Sequence, residues 1–253
     1  MQKKESRYSR NRIYVENVEQ EKIRKTKIIL GGAGIGSIIA ECMLRLGFEN
    51  FKIVDGDIVE LSNLNRQNYT QEDIGLPKVE ALKNRLLQIN PEANIETFYE
   101  YINNSNLDRI IKDGDLAINA LDFTTDIPLK FDQACQKLNI PILHPYNLGW
   151  ACLVILIKEN TGLETLSQSN QNFNELNVVE YLTSYHRFWG TPILWLEEII
   201  NEYKNEKEKL SPPQLSVGSW LAGSLCAKIA FDLINHKPVK VFPYFHYLSS
   251  KEL

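Results

Sequence analysis

Paired cysteines are missing from this sequence. Cys42, Cys135, Cys152 and Cys226 stand far apart, with no CxxC pair and no histidine spacing around them, which excludes a zinc cage of the usual kind and points to a reduced, cytoplasmic setting. An excess of positive charge is missing too. The formal net charge is -4, so no uniform field draws the chain to nucleic acid, tRNA included, or to an anionic membrane. No apolar run approaches the ~18 residues of a membrane span, and the opening MQKKESRYSRNR lacks the apolar stretch of a signal peptide. No internal repeat or long low-complexity linker interrupts the chain.

What is present is an ordinary globular composition, 43% hydrophobic and 24% charged, on 253 residues, enough to bury a sizeable core. Residues 27–31 (KIILG) form a short β-branched apolar run ending at glycines, as a buried parallel strand does. The run 37–47 (SIIAECMLRLG) spaces Ile38, Ile39, Cys42, Met43 and Leu46 for a helix and closes on Gly47. A second strand, FKIVDGD (51–57), completes a βαβ unit. LPKVEALKNRLLQIN then reads as an amphipathic helix with Val79, Leu82, Leu86 and Ile89 inward, stopped by Pro91. Strands over ANIETFYEYI, 115–122 (DLAINALD) and 140–147 (IPILHPYN), with a helix over IPLKFDQACQKLN, continue the alternation.

The predicted fold class is therefore α/β, a Rossmann-like doubly wound and mostly parallel sheet extended by a strand-rich C-terminal half. The expected division is an N-terminal arm or helix over 1–25, a nucleotide-binding domain over 26–150, and a half for substrate binding and dimerisation over 151–253. In that last part ACLVILIKEN reads as a strand, TLSQSNQNFNE as a polar loop suited to specificity, and YHRFWGTPILW as mixed. EEIINEYKNEKEKL reads as a solvated helix, 216–235 as a helix of small residues suited to close packing, and VKVFPYFHYL as a final strand.

The chemistry gathers at strand ends. Gly31-Gly32-Ala33-Gly34-Ile35-Gly36-Ser37 lies between a strand and a helix, where backbone N–H groups and the helix dipole favour a phosphate. Against the GxGxxG fingerprint the match is Gly31, Ala33 and Gly36; it is weak alone, and a purely structural turn competes with it. Asp55, 19 residues after Gly36, ends the second strand where an acid bonds the ribose hydroxyls of NAD or ATP alike. Asp57 fits a ligand role or a plain turn acid. A nicotinamide cofactor has no use for the SNLNRQ that follows. Asn63 can donate and accept beside a ribose or phosphate, Arg66 can fork onto a terminal phosphate, and Lys78 opens a helix where the dipole disfavours a cation. Asp122, at the carboxyl end of a parallel strand, suits Mg²⁺ or a helix cap equally well.

Together these residues resemble the ubiquitin-activating-type adenylyltransferases, the family of the ThiF, MoeB and HesA proteins. The resemblance runs over most of the chain, on RYSRNRI, LGGAGIGS, IVDGDIVELSNLNRQ, IGLPKVEAL, DLAINALD and SVGSWLAGSLCAKIAFDLI. It implies that a homodimer uses ATP and Mg²⁺ to activate the C-terminal carboxylate of a small ubiquitin-like or sulfur-carrier protein or peptide, forming an acyl-adenylate and releasing pyrophosphate. It implies also that Asp55, with Asp57 beside it, binds ribose, that Asn63, Arg66 and Lys78 hold the phosphates above the turn of Gly31, Ala33, Gly34 and Gly36, and that Asp122 sits by the metal. Arg10 would reach into the neighbouring protomer's site. The sequence departs from the family pattern at Ala33, at Phe123 where relatives often carry Asn, and in lacking paired CxxC motifs. No cysteine lies within 153–225, where thioester-forming relatives place theirs, and Cys152 and Cys226 read as packing residues, so adenylation without an enzyme thioester is expected.

Such chemistry needs little beyond what is present. A carboxylate attacking an α-phosphate brings negative charges together, which calls for positioning and positive charge and not for a protein nucleophile. Two rivals remain. A non-catalytic nucleotide-binding subunit of a heterodimer is motivated by Ala33, Phe123 and the missing zinc pairs, against which stand the intact Asn63, Arg66, Lys78 and Asp122, and an NAD-dependent oxidoreductase by the glycine turn; the latter is distinguished by whether ATP or NAD raises the melting temperature.

Overall fold

The computed structural model describes residues 6–159, 161–166, 173–208 and 210–251. A short turn of 3-10 helix (Ser9–Asn11) leads to α1 (Asn17–Lys25), started by a reciprocal capping box of Glu16 and Glu19. Strands and helices then alternate as β1 (Lys27–Gly31), α2 (Ile35–Leu46), β2 (Asn50–Val54), α3 (Lys78–Ile89), β3 (Asn94–Phe98), α4 (Leu107–Ile111), β4 (Leu116–Asn119), α5 (Ile127–Lys137) and β5 (Ile142–Asn147). After them come β6 (Ala151–Ile157), α6 (Glu175–Phe188), α7 (Leu194–Lys204), α8 (Ser216–Ile234) and β7 (His246–Ser249).

All seven strands form one sheet in the order β3-β2-β1-β4-β5-β6-β7. β1 to β5 are parallel, and β6 and β7 are added antiparallel at one edge. The order reverses between β1 and β4, the point beyond whose strand ends open α/β sheets bind ligands. Strand residues alternate between two cores. Ile28 and Leu30 face Met43, Leu82 and Cys226 of α2, α3 and α8, while Ile29 and Val54 face Phe131, Leu182 and Leu196 of α5, α6 and α7. With helices on both faces, β6 is buried at every position, and its sequence is a continuous apolar run for that reason.

Among the described residues the C-terminal half extends the sheet by two strands and holds three α-helices and a short 3-10 helix (Leu163–Leu166). α6 forms where the sequence signals were mixed. Asn174 caps it, accepting the Leu176 N–H at 3.0 Å. α7 begins before the charged run and buries Leu196 and Ile200, so it is only half solvated. The final strand pairs only from His246 onward: Pro243 has no N–H to give a ladder, and the Tyr244 N–H turns back to the Val241 carbonyl at 2.9 Å. The loop TLSQSNQNFNE falls partly at 167–172, outside the described residues. α8 packs closely on α2 as its small residues suggested; a Cβ at Gly223 would lie 2.8 Å from Ile38 Cγ2. By length and composition α8 is apolar enough to cross a membrane, a property its interrupting Lys228 and Asp232 hide in the sequence, yet half of that stretch is buried inside the fold.

Candidate active site

β1 runs into the glycine turn. Gly32 takes φ +92° so close to β4 that a Cβ would lie 2.3 Å from the Ala120 carbonyl oxygen, a position open only to glycine. Gly36 packs on β1, where a Cβ would come within 2.9 Å of Leu30. Gly34 is the N-cap of α2, and no side chain caps the helix, so the first N–H groups, at Ile35 and Gly36, are left for an anion. Ala33 does not obstruct them. Its methyl is buried in the core, its N–H donates to Asp55 Oδ2 at 2.6 Å, and its carbonyl accepts the Tyr69 hydroxyl at 2.8 Å.

Asp55 follows β2, and its Oδ1 accepts the Asp57 N–H at 2.7 Å. Burial raises its carboxyl above the ordinary range against the opposing pull of the Ala33 N–H and the Lys78 charge. Asp57 is more than a turn acid. Its Oδ2 takes Lys78 Nζ at 2.8 Å and its Oδ1 the Tyr101 hydroxyl at 2.8 Å. Burial works against its charge, yet those two bonds hold the carboxyl below the ordinary range. Lys78 is the first residue of α3 and only 7% exposed. A cation there costs roughly 0.3–1 kcal/mol against the helix dipole, which the Asp57 pair offsets.

Arg66 is held by three oxygens. Its Nε donates to Gln214 Oε1 at 2.6 Å, and its Nη1 to the Ser62 carbonyl at 3.0 Å and to Asn65 Oδ1 at 2.8 Å. Asn63 is buried and uses Oδ1 to accept the Glu60 N–H at 3.0 Å, closing the turn that carries Arg66. Gln67, the next residue, lies over Gly34, where a Cβ would meet its Nε2 at 3.4 Å, and its Oε1 is buried without a hydrogen-bond partner.

Asp122 follows β4. Water reaches one side of it while protein surrounds the rest, so desolvation and then the Glu175 charge raise its carboxyl, against Lys78 and Arg66. It caps no helix, since Asp126 occupies the N-cap of α5. Phe123 donates its N–H to Glu175 Oε1 at 2.9 Å and packs its ring edge-on against Phe173, centroids 4.8 Å apart. Gln214, Glu175, Tyr101 and Gln67 are thus site neighbours that sequence reasoning did not single out. Only Gln67 lay inside a recognised motif.

Gly31, Ala33, Gly34, Gly36, Asp55, Asp57, Asn63, Arg66, Lys78 and Asp122 all lie at the carboxyl end of the sheet, Gly31 as the last residue of β1 and the others in the turns and first helical residues beyond the strands. Arg10 is elsewhere. It is exposed in the N-terminal turn, whose Tyr8 and Asn11 donate to the Leu44 and Leu46 carbonyls at the far end of α2. That helix has 12 residues and is about 18 Å long, so Arg10 lies a helix length from its own glycine turn. The four cysteines are free, and burial raises each thiol, Cys152 to about 12, leaving none poised as a nucleophile. Among the described residues no group of three or more His, Cys, Asp or Glu is placed to hold a metal.

A family model described as the ThiF family matches residues 8–252. The chain belongs to the ThiF family. This ThiF-family chain is 33% identical over 144 residues to the molybdopterin-synthase adenylyltransferase of Haemophilus influenzae, covering 55% of this chain and 58% of that protein. It is 32% identical over 149 residues to the sulfur carrier protein ThiS adenylyltransferase of Bacillus subtilis, covering 56% of this chain and 44% of that one. The tRNA threonylcarbamoyladenosine dehydratase of Bacillus subtilis is 30% identical over 139 residues, 54% of each chain. The chain spans about half the length of these curated relatives. Among solved structures, E. coli MccB with ATP aligns at a TM-score of 0.69 and 20% identity over 97% of this chain and 72% of MccB. PaaA aligns at 0.68 and 21% over 93% of this chain and 73% of its own. At such identities the likeness is one of fold.

Proposed function

We propose that this ThiF-family protein binds ATP beyond the carboxyl ends of β1, β2 and β4 and adenylates a carboxylate, releasing pyrophosphate. Arg66 and Lys78 carry this reading. Two cations anchored in different segments both act on Asp122 at the sheet's switch point. A nicotinamide dinucleotide has one pyrophosphate, which the N-terminus of α2 can serve alone; a triphosphate gives Arg66, held by neutral oxygens, an anionic partner and gives Lys78 a second one beside Asp57. The printed names of two relatives, each an adenylyltransferase, support it. Buried Ala33 removes one of the three reasons for reading the chain as a non-catalytic subunit.

In this account Asp55 accepts the ribose hydroxyls through lone pairs that the Ala33 and Asp57 N–H groups leave free. Asn63 and Gln67 border the phosphates. Arg66 and Lys78 compensate the negative charges that meet as the substrate carboxylate oxygen bonds to the α-phosphorus and the bond from that phosphorus to the bridging oxygen breaks, freeing pyrophosphate. No protein nucleophile takes part, in keeping with the raised thiols. Asp122, a carboxylate open to water on one side, suits the single protein ligand that a phosphate-bound Mg²⁺ commonly takes, and would hold that ion. When bound, it would neutralise phosphate charge.

Arg10, out of reach of its own site, serves the site of a second protomer in a homodimer. The acyl substrate is the C-terminus of a small ubiquitin-like or sulfur-carrier protein or peptide, met in the cytoplasm. A thermal-shift comparison tests the nucleotide choice. ATP with Mg²⁺ is expected to raise the melting temperature and NAD to leave it unchanged; the reverse result would refute the proposal.

A further inference from the structure

We infer that Gln214 is a positioning residue for Arg66, and that through it the C-terminal half sets the aim of the phosphate-binding guanidinium. The inference rests on the reading of Arg66 given above. Two of the three acceptors on Arg66, the Ser62 carbonyl and Asn65 Oδ1, belong to its own turn and move with it. Gln214 lies 148 residues away and takes the Nε–H at 2.6 Å, the shortest of the three bonds. Its own carbonyl accepts Asn65 Nδ2 at 3.3 Å, so two side chains of the turn meet the same residue.

Gln214 is itself well anchored. Pro212 and Pro213 precede it, each with φ fixed by its ring. The next carbonyl, of Leu215, accepts Asn147 Nδ2 at 2.7 Å, and the same amide reaches Ser219 Oγ at 2.8 Å. Gly218 permits that approach, since a Cβ there would lie 2.3 Å from Asn147 Oδ1. The end of β5 therefore holds the start of α8, and the start of α8 holds Arg66. An amide suits the role because it orients a guanidinium without cancelling its charge. A carboxylate in its place would compete with phosphate for that charge. Unheld, a half-exposed arginine samples many rotamers and loses that freedom on meeting a phosphate, at the expense of affinity.

ATP affinity of the full-length chain, measured by calorimetry, tests this with Gln214→Met, which keeps the stem and removes the acceptor, and with Gln214→Ala in support. Each is expected to weaken ATP binding about five- to tenfold with the unliganded melting temperature unchanged, and to change nothing further in an Arg66→Ala background. If both Gln214 variants bind ATP as the parent does, or weaken it by the same factor without Arg66, the inference is overturned while the role of Arg66 stands. If Arg66→Ala alone binds ATP as tightly as the parent, the role of Arg66 falls and the inference with it.

Discussion

Lys78 shows how one residue carries the nucleotide site. It is a buried cation at a helix start, disfavoured by the dipole and retained by Asp57, which Tyr101 steadies in turn. Lys78→Met is expected to lower turnover, followed as pyrophosphate release, by about 100-fold or more. The fold should survive, because Asp57 keeps solvent contact and its Tyr101 bond. Lys78→Arg is expected to rescue little, since a planar guanidinium does not fit a slot shaped for a compact ammonium. The positions of Asp55, Lys78 and Asp122 were legible in the sequence because each stands at a strand end or helix start whose local pattern is plain, and Arg66 because SNLNRQ marks the turn that carries it. Asp57 was legible only as a position, its bond to Lys78 spanning 21 residues. Gln214 and Glu175 were not legible at all, since their contacts with Arg66 and Phe123 join residues 148 and 52 apart and no local pattern marks either.

At the scale of elements, Glu41 ties α2 to its surroundings. It is 3% exposed, takes Arg85 of α3 at 2.5 Å and Arg45 at 2.8 Å, and also accepts from Asn68. Burial works against its charge, but these bonds together hold its carboxyl below the ordinary range. A depressed folded-state pKa contributes stability that is fully present above the unfolded value, roughly 4.3 for Glu, and lost as pH falls through the lower folded value. Urea unfolding over a pH series is therefore expected to show stability falling below about pH 4, with Glu41→Ala costing about 3 kcal/mol at neutral pH and flattening that acid limb. A Glu41→Ala chain as stable as its parent at pH 7 would remove the pair from the account. The elements from β1 to β5 other than α4 were readable in the sequence from their period, and α8 from its run of small residues. α7 was readable as a helix from its charged end but not from its apolar start, and α6 was not readable, because its apolar positions answer to a core made by distant strands and its charges pair across helices, as Glu180 does with Lys204.

For the whole molecule, the parallel order of β1 to β5 follows from right-handed crossovers, which leave few alternatives once the βα alternation is read. The antiparallel β6 and β7 follow from no such rule, and the position of Arg10 only from the packing of Tyr8 and Asn11 on the far end of α2. That position makes a homodimer testable by complementation. Arg10→Ala and Arg66→Ala chains, each inactive alone, are expected on mixing to regain about a quarter of parent activity, because half the dimers are mixed and each mixed dimer has one complete site. An active Arg10→Ala chain would place Arg10 outside catalysis, and no recovery on mixing would contradict a site shared between protomers.

Adenylation itself is tested most directly by where ATP is cut. Phosphorus NMR of the full-length chain with ATP, Mg²⁺ and a panel of peptide and small-protein C-terminal carboxylates is expected to show pyrophosphate with AMP or acyl-AMP, and neither product with Arg66→Ala. ADP and phosphate as the products, or pyrophosphate release undiminished without Arg66, would contradict it.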